Sequence, residues 1–288
     1  MPVDLKRACR MAKACNVCYS IGGDVTSGQF YNDIGFAVPP STFIGQVINA
    51  ALVGVTPTEI VVAFRGTEPI DVANWDAFID SVDDWVHDGE ADLVKVPYCG
   101  GQVHRGFSGA LETVWSGVAN AVRQQLSAKR LPVVVTGHSK GGALATLAAI
   151  RLRSEGVTTP LAVYTYGSPR VGDTPFSTSF NAVISQWRFE NDNDLVPHLP
   201  PTAQLLAFLG RVDQRLSGLV ARAYDHAGVL EYLDSQGQLT EGNAENSLDI
   251  FGQRMKSFFH LLLTGQIRQV ATDHSVLNEY IPKICALS

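Results

Sequence analysis

The residues whose types and spacing point most directly to covalent chemistry are Gly137-His138-Ser139-Lys140-Gly141. Glycines two residues either side of a serine allow a turn so tight that ordinary side chains would collide where the chain folds back. The pattern follows the β-branched run Leu131–Thr136 and precedes an Ala- and Leu-rich stretch, Lys140–Ser154. In such a strand, turn and helix order, a serine is held at strained backbone angles facing a helix N-terminus, whose amides and dipole favour a developing negative charge. A serine hydroxyl is too weakly acidic to attack a carbonyl carbon unaided at neutral pH. An imidazole must take its proton, and a carboxylate must orient that imidazole. A plain strand-to-helix turn with an incidental serine is the alternative; a phosphate-binding loop is disfavoured because GxxxxGK[ST] is absent.

These groups need a scaffold that delivers them to one edge. Glu59–Phe64, Leu131–Thr136, Leu161–Tyr166 and Gln186–Phe189 read as buried strands, and Phe107–Lys129, Lys140–Ser154 and Thr174–Val183 carry helical spacing between them. Strands alternating with helices imply βαβ units, so the expected class is α/β, with a central, mostly parallel sheet flanked by helices. No repeat or long linker interrupts residues 1–288, which are expected to form a single domain; the Pro-rich stretch Val196–Pro201 reads as a rigid loop within it. The apolar spacing of Ala8, Met11, Ala12, Cys15 and Tyr19 predicts an N-terminal amphipathic helix over about residues 4–20. The five cysteines are an odd number, so at least one thiol is unpaired, and Cys15-Asn-Val-Cys18 reads as helix thiols rather than a metal or redox site.

Beyond the serine motif, the sequence resembles the class 3 lipases, the fungal-type branch of the α/β-hydrolases. The stretches that carry the resemblance are Phe64-Arg65-Gly66-Thr67, Asp84-Trp85-Val86-His87-Asp88, Val103-His104-Arg105-Gly106-Phe107, Asn193–Pro201, and Asp273-His274-Ser275 with Tyr280 beyond it. They occur in the family's order and span roughly Ala12 to Tyr280. The resemblance implies an α/β-hydrolase fold with a short helical lid, and a serine carboxylic-ester hydrolase, a triacylglycerol lipase first of all. A short-chain or feruloyl-type esterase and a phospholipase of A1 specificity are the alternatives within the enzyme class; a catalytically silent binding protein is the alternative outside it.

In α/β-hydrolases the acid and then the base follow the serine. Four histidines do so: His198, His226, His260 and His274. His198 shares a loop with the favoured acid, His226 looks structural by resemblance, and His260 lies among Phe258, Phe259, Leu261 and Leu262 on an apparent helix. His274, on a polar loop, is the expected base. For the acid, Asp194 matches the family's D-x-V-P motif, with Asp192, Glu190 and Asp173 as nearby alternatives. The backbone N–H of Lys140 is one expected oxyanion donor by its place after the nucleophile, and Thr67 supplies the other by resemblance. Arg65 and His104 are expected to be structural.

The formal net charge is -6, yet nine acids and no lysine or arginine lie between Glu68 and Asp92. Within that segment Trp75, Phe78, Ile79 and Val82 stand at helical spacing, predicting a short amphipathic helix. By resemblance, residues 68–83 form the lid, and Trp75, Phe78 and Ile79 are its substrate-facing stripe; a fixed surface helix is the other reading. An acidic lid favours neutral lipid or ester substrates at an oil–water interface over anionic phospholipid. The apolar patch Leu205–Leu209 is expected either in an acyl pocket or in the core. The acidic balance argues against nucleic-acid binding, and no apolar run approaches the ~20 residues of a membrane span. The chemistry calls for no cofactor, and the EF-hand calcium pattern is absent. Residues 1–20 lack an apolar signal core, so an intracellular chain or a mature secreted form is expected.

Overall fold

The computed structural model describes residues 2–21, 28–37, 40–45, 48–66, 92–200, 224–242, 249–250, 252–254, 257 and 268–288. Their elements run α1 (Leu5–Tyr19), α2 (Gly28–Ile34), β1 (Ser41–Gly45), β2 (Asn49–Val55), β3 (Ile60–Phe64), β4 (Leu93–Val94), β5 (Val103–His104), α3 (Arg105–Ala128), β6 (Val133–His138), α4 (Lys140–Ser154), β7 (Ala162–Tyr166), β8 (Gly172–Asp173), α5 (Thr174–Asn181), β9 (Gln186–Asn191), β10 (Tyr224–Asp225), β11 (Val229–Leu233), β12 (Leu239–Gly242), α6 (Arg268–Asp273) and α7 (Ile281–Ala286).

Among the described residues the main sheet has the order β1-β2-β3-β6-β7-β9-β11-β12. Strands β3, β6, β7, β9 and β11 are parallel, while β1, β2 and β12 pair antiparallel at the two edges. This is the α/β-hydrolase arrangement. The parallel strands read as continuous apolar runs because both of their faces are covered. In β6, Val133 and Val135 join the core on the α3–α4 side, and Val134 joins the core on the α1 side. In β7, Val163 faces the first layer and Tyr164 and Tyr166 face the second, the two-residue alternation of a strand. Each fully buried Val or Leu contributes about 1.5–3 kcal/mol, which makes these central strands the rigid part of the scaffold.

Helix α4 packs between the sheet and α3 and is buried on nearly every side, including Ala143, Leu144, Ala145, Leu147, Ala148 and Ala149. Its alanines are the sequence requirement of that position, since larger residues would push it off β6. Helix α1 covers the opposite face with Ala8, Met11, Ala12, Cys15 and Cys18. Its N-cap Asp4 accepts from the Arg7 amide, and Arg7 and Arg10 both pair with the buried Glu59 just before β3. A second sheet, β10-β8-β5-β4, is made of two-residue strands.

The cysteines are paired more than their sequence context suggests. Cys9 of α1 and Cys285 of α7 form a disulfide across a sequence separation of 276. Cys15 and Cys18 remain free thiols within the core. Cys15 sits 3.2 Å from Thr136 Oγ1, and burial pushes its thiol up to about 12, so it has no thiolate to offer redox chemistry at neutral pH.

Candidate active site

Ser139 sits between the end of β6 and the first turn of α4, with φ 57° and ψ -134°. Among the described residues it is the one non-glycine at positive φ. Such a conformation costs on the order of 1–3 kcal/mol and persists only when its surroundings impose it. Here they do. The Ser139 amide donates to the Tyr166 carbonyl on β7, and its own carbonyl accepts from Gly142. A side chain at Gly137 would strike the backbone of Gly141, and one at Gly141 would strike the carbonyl of Phe64. Both glycines are therefore required by the close approach of β3, β6 and α4. Although it occupies the N-cap of α4, the serine side chain makes no capping hydrogen bond, so its hydroxyl is not consumed by the helix.

Asp194 lies just after β9 and is fully buried. Its Oδ1 accepts from the Val196 amide at 3.0 Å, and its Oδ2 accepts from the Tyr280 hydroxyl at 2.6 Å. Both oxygens lie 2.9 Å from His274 Nδ1. An ionised carboxylate only accepts, so Nδ1 carries a proton, and in the neutral ring Nε2 is left as a lone pair able to take one. The loop bearing His274 is itself tied down: Asn191 Nδ2 donates to the Asp273 carbonyl at 2.9 Å, and Asn193 Nδ2 reaches the Asp273 carboxylate at 3.1 Å.

The other candidate acids are engaged elsewhere. Asp192 accepts from the Tyr232 hydroxyl and from Asn193, Glu190 pairs with Arg188 and Arg254, and Asp173 caps α5 by accepting from the Phe176 amide. Among the alternative bases, burial holds His198 and His226 well below the usual imidazole range, with neighbouring arginines adding to the effect. His260 lies outside the described residues. His104 caps α3 by accepting from the Phe107 amide, stacks on the Phe107 ring at 4.0 Å, and is lowered to about 4 by burial, all consistent with a packing role.

On the oxyanion side, Lys140 opens α4 and places its ammonium 3.0 Å from Asn49 Oδ1. Thr67, Trp75, Phe78, Ile79, the rest of the expected lid and the patch Leu205–Leu209 lie outside the described residues. At Gly66, which is described, an added Cβ would stand 3.0 Å from Ser139 Cβ. The Arg65 guanidinium donates to the carbonyls of Ile21 and Ile48, fixing the end of β3 against α1 and the β1–β2 hairpin. Tyr280 and Asn191 are site residues that sequence reasoning left without a role. The Tyr280 hydroxyl accepts from the Asn191 amide at 3.0 Å while donating to Asp194, so it welds β9 to the C-terminal turn.

A strained serine at a helix N-terminus and a buried aspartate paired with a part-buried histidine suit acyl transfer. The family model of the class 3 lipases matches residues 61–204, half of the chain. The chain belongs to this family. It is 40% identical over 145 residues to the secreted mono- and diacylglycerol lipase 1 of Fusarium solani, covering 50% of this chain and 40% of that protein. It is 38% identical over 159 residues to a lipase of Rhizomucor miehei, covering 50% of this chain and 38% of the relative. The chain thus spans well under half the length of these curated relatives. The solved triacylglyceride lipase structure of Rhizomucor miehei superposes with a TM-score of 0.60 at 25% identity, covering 82% of each chain. The class 3 lipase match takes in β6 and β9, the strands that deliver Ser139 and Asp194.

Proposed function

We propose that this chain is a serine carboxylic-ester hydrolase acting on glyceride esters of fatty acids, in the manner of a triacylglycerol lipase. The observation that carries the reading is the pairing of the buried Asp194 with the part-buried His274 in the same fold as a serine held at positive φ whose hydroxyl makes no capping bond. Ser139 Oγ attacks the ester carbonyl as His274 Nε2 takes its proton. The oxyanion that forms is held by the backbone N–H of Lys140 and of Thr67. His274 returns the proton to the departing alcohol, leaving an acyl-serine. Water then attacks the acyl carbon with His274 again as base, releasing the fatty acid and restoring Ser139. Asp194 stays ionised throughout and holds the imidazole in one tautomer.

The substrate class rests on the family and its named relatives, together with the acidic amphipathic stretch 68–83, which we assign as a lid over the site, with Trp75, Phe78 and Ile79 as its apolar stripe. The nine acids between Glu68 and Asp92 favour a neutral lipid surface over an anionic one. The Cys9–Cys285 disulfide supports an oxidising compartment for the working enzyme. The test is the rate of hydrolysis of glycerol esters from butyrate to oleate, measured below and above their solubility. A lipase gains rate sharply once an oil phase appears and retains it for long chains. Simple saturation, with activity confined to the short chains, would reassign the chain as an esterase.

A further inference from the structure

Behind the Asp–His pair runs a second line of hydrogen bonds, from the N-terminal helix to the backbone of the base. The hydroxyl of Tyr19, the last residue of α1, lies 2.6 Å from His138 Nδ1, and His138 Nε2 lies 2.7 Å from the carbonyl oxygen of His274. A carbonyl oxygen can only accept, so His138 carries its proton on Nε2. Burial first, and the adjacent His274 second, hold His138 well below the usual imidazole range, which keeps it neutral. Its Nδ1 is then a bare lone pair, and the Tyr19 hydroxyl must donate to it. Burial also raises the Tyr19 phenol, so this donor keeps its proton. The chemistry of the two end groups therefore gives the chain one direction, from Tyr19 O–H to His138 and from His138 N–H to the His274 carbonyl.

We propose that Tyr19 and His138 are positioning residues for the general base: Tyr19 selects the His138 tautomer whose N–H holds the His274 backbone in place. In the other tautomer, a nitrogen lone pair would face the carbonyl lone pairs, and the contact would change from attraction to repulsion. Other ties on this loop act on different atoms, among them the Asp273 carbonyl, the Asp273 carboxylate and the His274 ring. The His138 ring also lies against the imidazole it serves, with centroids 4.5 Å apart and planes at 35°, so a shift of one displaces the other. The position immediately before the nucleophile thus steadies the base from behind, while the serine that follows it performs the attack.

This inference rests on His274 being the general base, so His274→Ala is the reference: hydrolysis of p-nitrophenyl butyrate that survives in it would sink that assignment rather than the relay. The relay is tested with Tyr19→Phe, which removes one oxygen and keeps the ring. We expect kcat to fall about 10-fold with KM within about twofold of the parent, because a small displacement of a reacting group acts on the transition state and not on ground-state binding. His138→Phe removes both ring nitrogens and is expected to lose at least as much. The double variant should be no slower than His138→Phe alone, since Tyr19 acts only through His138. A Tyr19→Phe enzyme with the parental kcat would overturn the proposal. So would losses that multiply in the double variant, or a rise in KM at constant kcat. Thermal unfolding of each variant separates a mispositioned base from an unfolded protein, and a rate loss matched by the unfolded fraction also counts against the relay.

Discussion

Replacing Tyr280 with phenylalanine removes one oxygen from a fully buried side chain, and the structure assigns that oxygen two tasks. It donates to Asp194 Oδ2 at 2.6 Å and accepts from the Asn191 amide at 3.0 Å. A hydrogen bond to a charged acceptor contributes about 1.5–3 kcal/mol, and a buried amide left without a partner costs about 1–3 kcal/mol. One hydroxyl serves both, so the two figures overlap, and the expected destabilisation is about 3–4 kcal/mol. For a chain of this size that corresponds to a fall in Tm of about 5–7 °C. Asp194 keeps the Val196 amide and the His274 ring as partners, so the dyad persists with a looser carboxylate. The expected loss in kcat is about 10-fold at a temperature where the variant is folded. Calorimetric unfolding alongside ester hydrolysis reads both quantities. A stability loss under about 1 kcal/mol would show that the hydroxyl does not carry these two bonds and would refute the reasoning.

Two further outcomes follow from features away from the serine. The Cys9–Cys285 disulfide closes a loop across a sequence separation of 276, for which chain entropy sets a ceiling of about 5–6 kcal/mol on its stabilisation. A Cys9→Ala/Cys285→Ala variant, or reduction of the parent, should lower the denaturation midpoint by an amount equivalent to about 2–5 kcal/mol, and an unchanged midpoint would contradict the clip between α1 and α7. Glu231 faces Glu241 across the β11–β12 ladder, and burial first, with Glu241 second, pushes its carboxyl up to about 7. A carboxyl raised in the folded state favours folding while protonated, so this contribution is present at low pH and is lost as pH climbs from the ordinary carboxylate range through about 7. Glu231→Gln should therefore raise Tm at pH ~8 and leave it nearly unchanged at pH ~4, and the reverse order would refute the assignment.

The parts of this molecule that could be read from its sequence are those whose cause is local. β-branched runs became β3, β6, β7 and β9 with ends displaced by a residue or two, and the Ala-rich stretch became α4 from Lys140 to Ser154. The strained turn at Ser139 was legible because Gly137 is required by a close approach to Gly141 within the same turn, although the need for Gly141 comes from Phe64 on β3. The β1–β2 hairpin gave little signal, since β1 is mostly exposed and lacks clean alternation. Strands of two residues, such as β5 and β8, have no periodicity to detect. The Cys9–Cys285 bond joins opposite ends of the chain, and no local pattern marks it. Tyr19, His138 and Tyr280 acquire their roles only when α1, β6 and the C-terminal turn meet behind Asp194 and His274. A search for acid and base that begins after the serine passes over His138 altogether.

The central claim is that Ser139 is the nucleophile served by His274 and Asp194. Its most direct test is to treat the protein with a p-nitrophenyl alkylphosphonate, which reacts with an activated serine, and to map the adduct by peptide mass spectrometry. The account predicts one adduct per chain, on Ser139, formed in proportion to the loss of ester hydrolysis and absent from Ser139→Ala and His274→Ala. An adduct on another residue, or hydrolysis that persists once Ser139 is fully modified, would contradict it.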